Sequence, residues 1–331
     1  MNEKCARRFI RAVLAFGAAV LTAASAGAQV PKPMADDSKR DLKTLHETGL
    51  RYADEGRYEE AVRVLREAVR LSPLYAPAHN DLGYAYHSSG RYGEAVGSYV
   101  EAIRLRGDYA VAWNNLGMAY GASGDYQNAV GAFRRALSIK PDYPSASNNL
   151  GTTYYKMGRS AEAVESLTNA VRLDPGYADA YLNLGVIQTE SGAYARAVEA
   201  LTRAAALRPD SPSVYRSLGL AYQKAGRLTE AVVAYRRALS MNQDAEVYNN
   251  LGVACDLLGR HREAVESYRL AIDLRPEYGE AHYNLAIAHL RAGERDEALG
   301  QYAKLKKFAP ELAGDLFGVM NLDKILNAAR K

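Results

Sequence analysis

Residues able to do acid–base, nucleophilic or metal chemistry are few and scattered in this chain of 331 residues. Its histidines are His46, His79, His87, His261, His282 and His289. His282 and His289 can share one face of a helix, but no acidic or cysteine partner stands at the spacing of a metal site. His46, His79 and His87 can approach one another across the first two units, where ordinary polar or partly buried histidines are expected rather than a metal site. Cys5 sits in a charged N-terminal stretch, and Cys255 occupies a slot that elsewhere holds an aromatic, the place of an inert core thiol. There is no phosphate-binding loop of the Walker type. The sequence therefore predicts no enzyme, no metal and no cofactor.

The polar side chains that do recur are amides. The stretch "WNNLGMAYGASGDY" (113–126) returns as "SNNLGTTYYKMGRS" (147–160) and "YNNLGVACDLLGRH" (248–261). An asparagine carries an acceptor oxygen and a two-hydrogen donor. A row of them can satisfy successive main-chain groups of an extended segment, provided that the fold lines them up.

The elements that would do so follow from a repeat. The glycine of "NNLG" recurs at Gly49, Gly83, Gly117, Gly151, Gly185, Gly219 and Gly252, with Ala286 in the eighth copy, at intervals of 34 residues and once of 33. Seven residues later comes a second glycine (Gly56, Gly90, Gly124, Gly158, Gly192, Gly226, Gly259, Gly293), suited to the left-handed residue that ends a helix. Twelve later stands alanine in every copy, and nineteen later alanine in all but the last. Glycine inside a helix costs about 1 kcal/mol against alanine, so its recurrence marks a place where another backbone comes close, and the alanines offer small surfaces to meet it. A proline at Pro73, Pro141, Pro175, Pro209, Pro276 and Pro310 stops the second helix. Leucines one before the reference and aromatics three after it fall at helical spacing.

The pattern resembles that of tetratricopeptide repeat proteins. The third unit, "AVAWNNLGMAYGASGDYQNAVGAFRRALSIKPDY" (110–143), carries Trp113, Leu116, Gly117, Tyr120, Gly124, Tyr126, Ala129, Phe133, Ala136 and Pro141 in the family's places. The resemblance implies an all-α solenoid of eight helix–turn–helix units (42–75, 76–109, 110–143, 144–177, 178–211, 212–244, 245–278 and 279–312) in a right-handed superhelix. Residues 313–331 are expected to form an amphipathic capping helix, using Leu316, Phe317, Met320, Ile325 and Leu326. Unit six is one residue short, which predicts a local change of stacking angle.

The resemblance also implies which offsets line the concave surface. Two before the reference glycine the chain has Asn115, Asn149, Asn183, Asn250 and Asn284, and three before it Asn80, Asn114, Asn148 and Asn249. These rungs resemble the asparagine ladder in the repeat region of O-linked N-acetylglucosamine transferases, which holds a target's main chain. The rungs two before the glycine are open to a second reading, in which they bond only within and between repeats. Those three before it are expected to be the more exposed. One after the glycine runs a largely apolar stripe that includes Leu50, Tyr84 and Met118, and Tyr155 lies four after. Amides and apolar side chains together suit an extended or helical segment of another protein. The lysine-and-asparagine clamp by which some family members hold a C-terminal carboxylate is absent; Arg216 comes nearest, and Leu220 stands where asparagine is required. Arginines and glutamates of the second helices read as a solvated face with intrahelical pairs.

The N-terminus reads as a targeting segment. Lys4, Arg7, Arg8 and Arg11 precede an apolar run from Ala12 to Ala24, then Ala26-Gly27-Ala28 before Gln29. That order predicts a signal peptide over 1–28, with an uncleaved anchor as the alternative, and a linker over 29–41. Without that segment 38 basic residues face 37 acidic ones, so the basic footprint that nucleic-acid binding requires is lacking. The sequence thus predicts an exported scaffold of the periplasm or cell envelope that binds other proteins or peptides, touching a membrane only if the leader stays. An assembly role through outer surface or ends is the rival, and glycan binding by Tyr84, Tyr155 and Tyr283 a third.

Overall fold

The computed structural model describes residues 36–329, and side chains within 41–321. The expected signal peptide and the first part of the linker fall outside the described residues. Seventeen α-helices occupy the described residues, with no strand among them. They run α1 (Asp36–Asp54), α2 (Tyr58–Leu71), α3 (Ala76–Ser88), α4 (Tyr92–Leu105), α5 (Ala110–Ala122), α6 (Tyr126–Ile139), α7 (Pro144–Lys156), α8 (Ser160–Leu173), α9 (Ala178–Glu190), α10 (Tyr194–Leu207), α11 (Pro212–Lys224), α12 (Leu228–Leu239), α13 (Ala245–Leu257), α14 (His261–Leu274), α15 (Gly279–Arg291), α16 (Arg295–Phe308) and α17 (Pro310–Ala329). Each odd-numbered helix packs on the even-numbered one that follows, and each pair packs on the next. The first helix starts at Asp36, inside the stretch expected as linker.

All eight glycines seven after the reference have positive φ, between 72° and 82°. This left-handed residue closes the first helix, and the next amide bonds back five residues, as Arg91 N–H does to the Tyr86 carbonyl at 2.8 Å. The reference glycines have a different task. A Cβ on Gly117 would lie 2.7 Å from the Phe133 ring, and one on Gly185 2.4 Å from Leu201 Cγ. The same holds for Gly49 on Leu65, Gly83 on Tyr99, Gly151 on Leu167, Gly219 on Tyr235 and Gly252 on Tyr268. The glycine thus mainly accommodates the large side chain sixteen residues later rather than the approaching backbone expected from the sequence. The alanines twelve and nineteen after are nonetheless completely or almost completely buried.

The last helix closes the array by a related device. In α17 Leu316 and Met320 are buried as are the leucine before and the aromatic after a reference glycine, so Phe317 stands at the glycine's place. Its ring stacks on Tyr302 at 5.9 Å and remains 51% exposed. A side chain of that size obstructs the approach that a glycine allows a further second helix.

Candidate functional site

Asparagines bond to one another from unit to unit. Asn115 Nδ2 donates to Asn80 Oδ1 at 3.1 Å, Asn149 Nδ2 to Asn114 Oδ1 at 3.1 Å, and Asn183 Nδ2 to Asn148 Oδ1 at 3.0 Å. Asn284 Nδ2 donates to Asn249 Oδ1 at 2.9 Å. At the head of the row His46 Nε2 meets Asp81 Oδ2 at 2.6 Å, and Asn80 Nδ2 donates to Asp81 Oδ1 at 2.9 Å. Apart from the Asn80–Asp81 bond, which lies within α3, each joins one first helix to the next. The geometry follows from the register: the position three before one glycine faces the position two before the next, 35 residues on.

This reverses one expectation. Asn80, Asn114, Asn148 and Asn249 are buried, 5 to 7% exposed, rather than the more open of the two series. Residues three and two before the glycine differ by about 100° around the helix, and the former turns into the seam between first helices. Their carbonyls are held by the neighbouring unit, so they cannot meet a visitor directly. Asn115, Asn149, Asn183, Asn250 and Asn284 are only partly buried, at the edge of the concave wall. The buried set positions the half-exposed set.

The row is broken at unit six. Leu182, Arg216 and Ser217 stand where amides stand elsewhere. Arg216 Nη1 instead reaches Glu246 Oε2 at 3.1 Å, so Asn250 has no amide below it to grip. The break coincides with the 33-residue unit.

The stripe one after the glycine is open in units one to three and half-buried in units four to eight. Tyr84 is 43% and Met118 39% exposed, and Leu50 is exposed with them. Tyr155 donates its hydroxyl to Glu190 Oε2 at 2.5 Å, a rung between units four and five on the outer edge of the wall. Asp256 and Arg291 pair in the same register. His87, half-buried beside Tyr92 at 5.4 Å, has its pKa lowered by that burial. Two hollows lie in this wall, one of about 370 Å³ bounded by Val186, Arg216, Leu220 and Asn250, and one of about 550 Å³ bounded by Val253, Tyr283, Asn284 and Ile287.

The buried His79 and His282 serve the frame. His79 Nε2 donates to the Pro73 carbonyl and His282 Nε2 to that of Pro276, each at 2.9 Å, as Trp113 Nε1 does to Gly107 at 3.1 Å. Among the described residues no group of three or more His, Cys, Asp or Glu is placed to hold a metal ion. Cys255 is fully buried, and burial pushes its thiol pKa up. No helix among the described residues is long and apolar enough to cross a membrane.

The convex face holds more than the expected intrahelical pairs. Those are present, as in Arg70–Glu67 and Arg104–Glu101. Missed were pairs between units: Arg66 to Glu94 at 3.9 Å, with Arg66 Nε also donating to Tyr86 Oη, and Arg236 to Glu263. The signal for them was the joint occurrence of an arginine seventeen after one glycine and a glutamate eleven after the next.

Comparison with known proteins agrees with this geometry. A tetratricopeptide repeat model matches residues 49–90 and 83–124, and the model described as the cilia and flagella-associated protein 70 C-terminal domain matches residues 104–317. No curated protein matches the chain. Among solved structures, PilW, titled a widely conserved type IV pilus biogenesis factor, is 25% identical and superposes with a TM-score of 0.55 over 62% of this chain and 96% of its own. The Cut9–Hcn1 hetero-tetramer of the APC/C is 19% identical, with a TM-score of 0.54 over 78% of this chain and 52% of that one. A tetratricopeptide repeat protein from Parabacteroides merdae is 17% identical, with a TM-score of 0.53 over 75% and 99%. In a solenoid each unit touches only its neighbours, so small angular differences accumulate and lower such scores while the local packing is shared. This chain belongs to the tetratricopeptide repeat proteins and, over residues 104–317, to the family of the cilia and flagella-associated protein 70 C-terminal domain.

Proposed function

We propose that the chain is a non-catalytic scaffold whose concave wall binds segments of other proteins. The observation that carries this reading is the open stripe of Leu50, Tyr84 and Met118 beside half-exposed amides already fixed in place. Asn115, Asn149 and Asn183 each spend one donor on the unit before, and an NH₂ group has two. The second donor and the carbonyl are what a main chain would meet, while Tyr84, Met118 and Tyr155 take apolar side chains. The rung is preorganised by Asn80, Asn114 and Asn148, so little side-chain entropy is lost on binding. We further propose export to the periplasm or envelope, on the strength of the leader-like residues 1–28; the likeness to PilW is in keeping with it.

A peptide array probed with the full chain tests the reading. Tyr84→Ala with Met118→Ala should abolish most captured spots while leaving the circular dichroism spectrum unchanged; an unchanged array removes the groove from the account. One observation favours a second reading, assembly through an end. Leu299 and Phe317 leave apolar surface at the C-terminal cap, 42% and 51% exposed. Concentration-dependent light scattering that disappears in Phe317→Ser would favour it.

A further inference from the structure

We propose that the convex face carries a socket for an arginine side chain of a partner protein, formed by Tyr222, Glu230 and Val233 of unit six. It is independent of the concave groove. The chain itself supplies the template. In units two, four and seven a glutamate eleven after the reference glycine is held by an arginine eight after it: Glu94 by Arg91, Glu162 by Arg159, Glu263 by Arg260. In each case the preceding unit adds a second arginine, seventeen after its own glycine. Arg66 sits 3.9 Å from Glu94 with its guanidinium 5.5 Å from the Tyr86 ring centre. Arg134 lies 5.7 Å from the centre of Tyr154 and lines the same hollow as Glu162. Arg236 pairs with Glu263. Units three and five, which have Asn128 and Arg196 in place of the glutamate, have Val100 and Thr168 in place of that second arginine.

Unit six departs from this pairing. Tyr222, Arg227 and Glu230 are all in place, with Arg227 Nε 2.9 Å from Glu230 and its guanidinium 4.6 Å from the ring centre. The residue that should bring the second guanidinium is Thr202, and three positions on, where the other complete units through the seventh carry Val69, Ile103, Leu137, Val171, Leu239 and Ile272, stands Ala205. A cleft of about 390 Å³ lies in unit six, floored by Tyr215, Leu218 and Tyr222 and walled by Val233, which is 65% exposed; its counterpart in unit four, lined by Arg134 and Leu137, holds about 270 Å³. A carboxylate held at one edge, a tyrosine face below and an aliphatic wall suit a guanidinium and its methylene stem. Arg237, the other cation in the cleft, lies over Tyr215 at 5.8 Å and bonds the Pro209 carbonyl at 3.3 Å. It stands two helical turns from Glu230, about 10 Å by the rise of a helix, and so leaves the tyrosine–glutamate end open.

The test is a titration of the full chain, tyrosine-labelled for NMR, with Nα-acetyl-arginine methylamide and with its neutral isostere, the citrulline derivative. The expected result is a saturable shift of the Tyr222 ring signals, at least tenfold weaker with citrulline. Thr202→Arg, which supplies the guanidinium in cis, and Glu230→Gln should each remove it, whereas Glu94→Gln should leave it intact. Thr202 is exposed, so folding should survive; if circular dichroism shows otherwise, Glu230→Gln decides alone. No saturable shift, an equal response to citrulline, or a shift that survives Glu230→Gln overturns the proposal.

Discussion

Cutting one rung of the ladder has a cost that the structure lets one work out. Asn114 is buried, accepts from Asn149 Nδ2 at 3.1 Å, and its own Nδ2 has only long contacts, 3.5 Å to Asn115 Oδ1 and 3.6 Å to Met118 Sδ. Asn114→Ala therefore removes one good neutral hydrogen bond, about 1 kcal/mol, and leaves Asn149 with a donor that the half-exposed edge of the wall can return to water. With the small void left by the amide, about 1–2 kcal/mol is expected. Asn149→Ala removes the same bond but also leaves the buried Asn114 carbonyl orphaned, so its cost should be similar or larger. The double variant should then cost less than the sum of the singles, with a coupling of about 1 kcal/mol. Unfolding of a repeat array need not be two-state, so the assay is native-state hydrogen exchange at the amides of α5 and α7, which reads local opening at that junction. Asn114→Ala with Asn250→Ala serves as the control and should be additive. Coupling at the first pair no larger than at the second, within about 0.3 kcal/mol, would refute the reasoning that the rungs tie units together.

Two further outcomes follow from the same packing. Gly185→Ala would press a Cβ against Leu201 Cγ at 2.4 Å and should destabilise by about 1–3 kcal/mol, whereas Gly131→Ala, within α6 with nothing nearby, should stabilise by about 0.5–1 kcal/mol; thermal melts of both variants check the contrast. The His87 pKa is lowered from 6.5 by burial, so the fold favours the neutral ring. Its contribution is present above the unfolded pKa and is lost as pH falls through the folded one. An NMR titration midpoint at or above 6.5 would contradict this.

Much of the fold was legible because its demands are local and repeated. A left-handed residue after each first helix admits almost only glycine, and a reference position facing Phe133 or Leu201 admits nothing larger. These constraints recur at every unit and so survive as a period. The exposure of the asparagines was not legible in the same way. Which of two adjacent residues turns into the seam depends on the angle between successive first helices, and that angle is set by packing over many side chains rather than by any one of them. The partner of the reference glycine was missed because the residue sixteen on varies between leucine, phenylalanine and tyrosine, a size constraint without a fixed identity. The pairs on the convex face escaped because their two halves belong to different units.

In this structure amides hold one another from unit two to unit five and again between units seven and eight, with a gap at unit six. Side-chain NH₂ exchange, resolved residue by residue in the full chain, reads this most directly. The account predicts at least one protected proton on Asn115, Asn149, Asn183 and Asn284, and exchange near the free-amide rate on Asn250. Equal exchange at all five would contradict it.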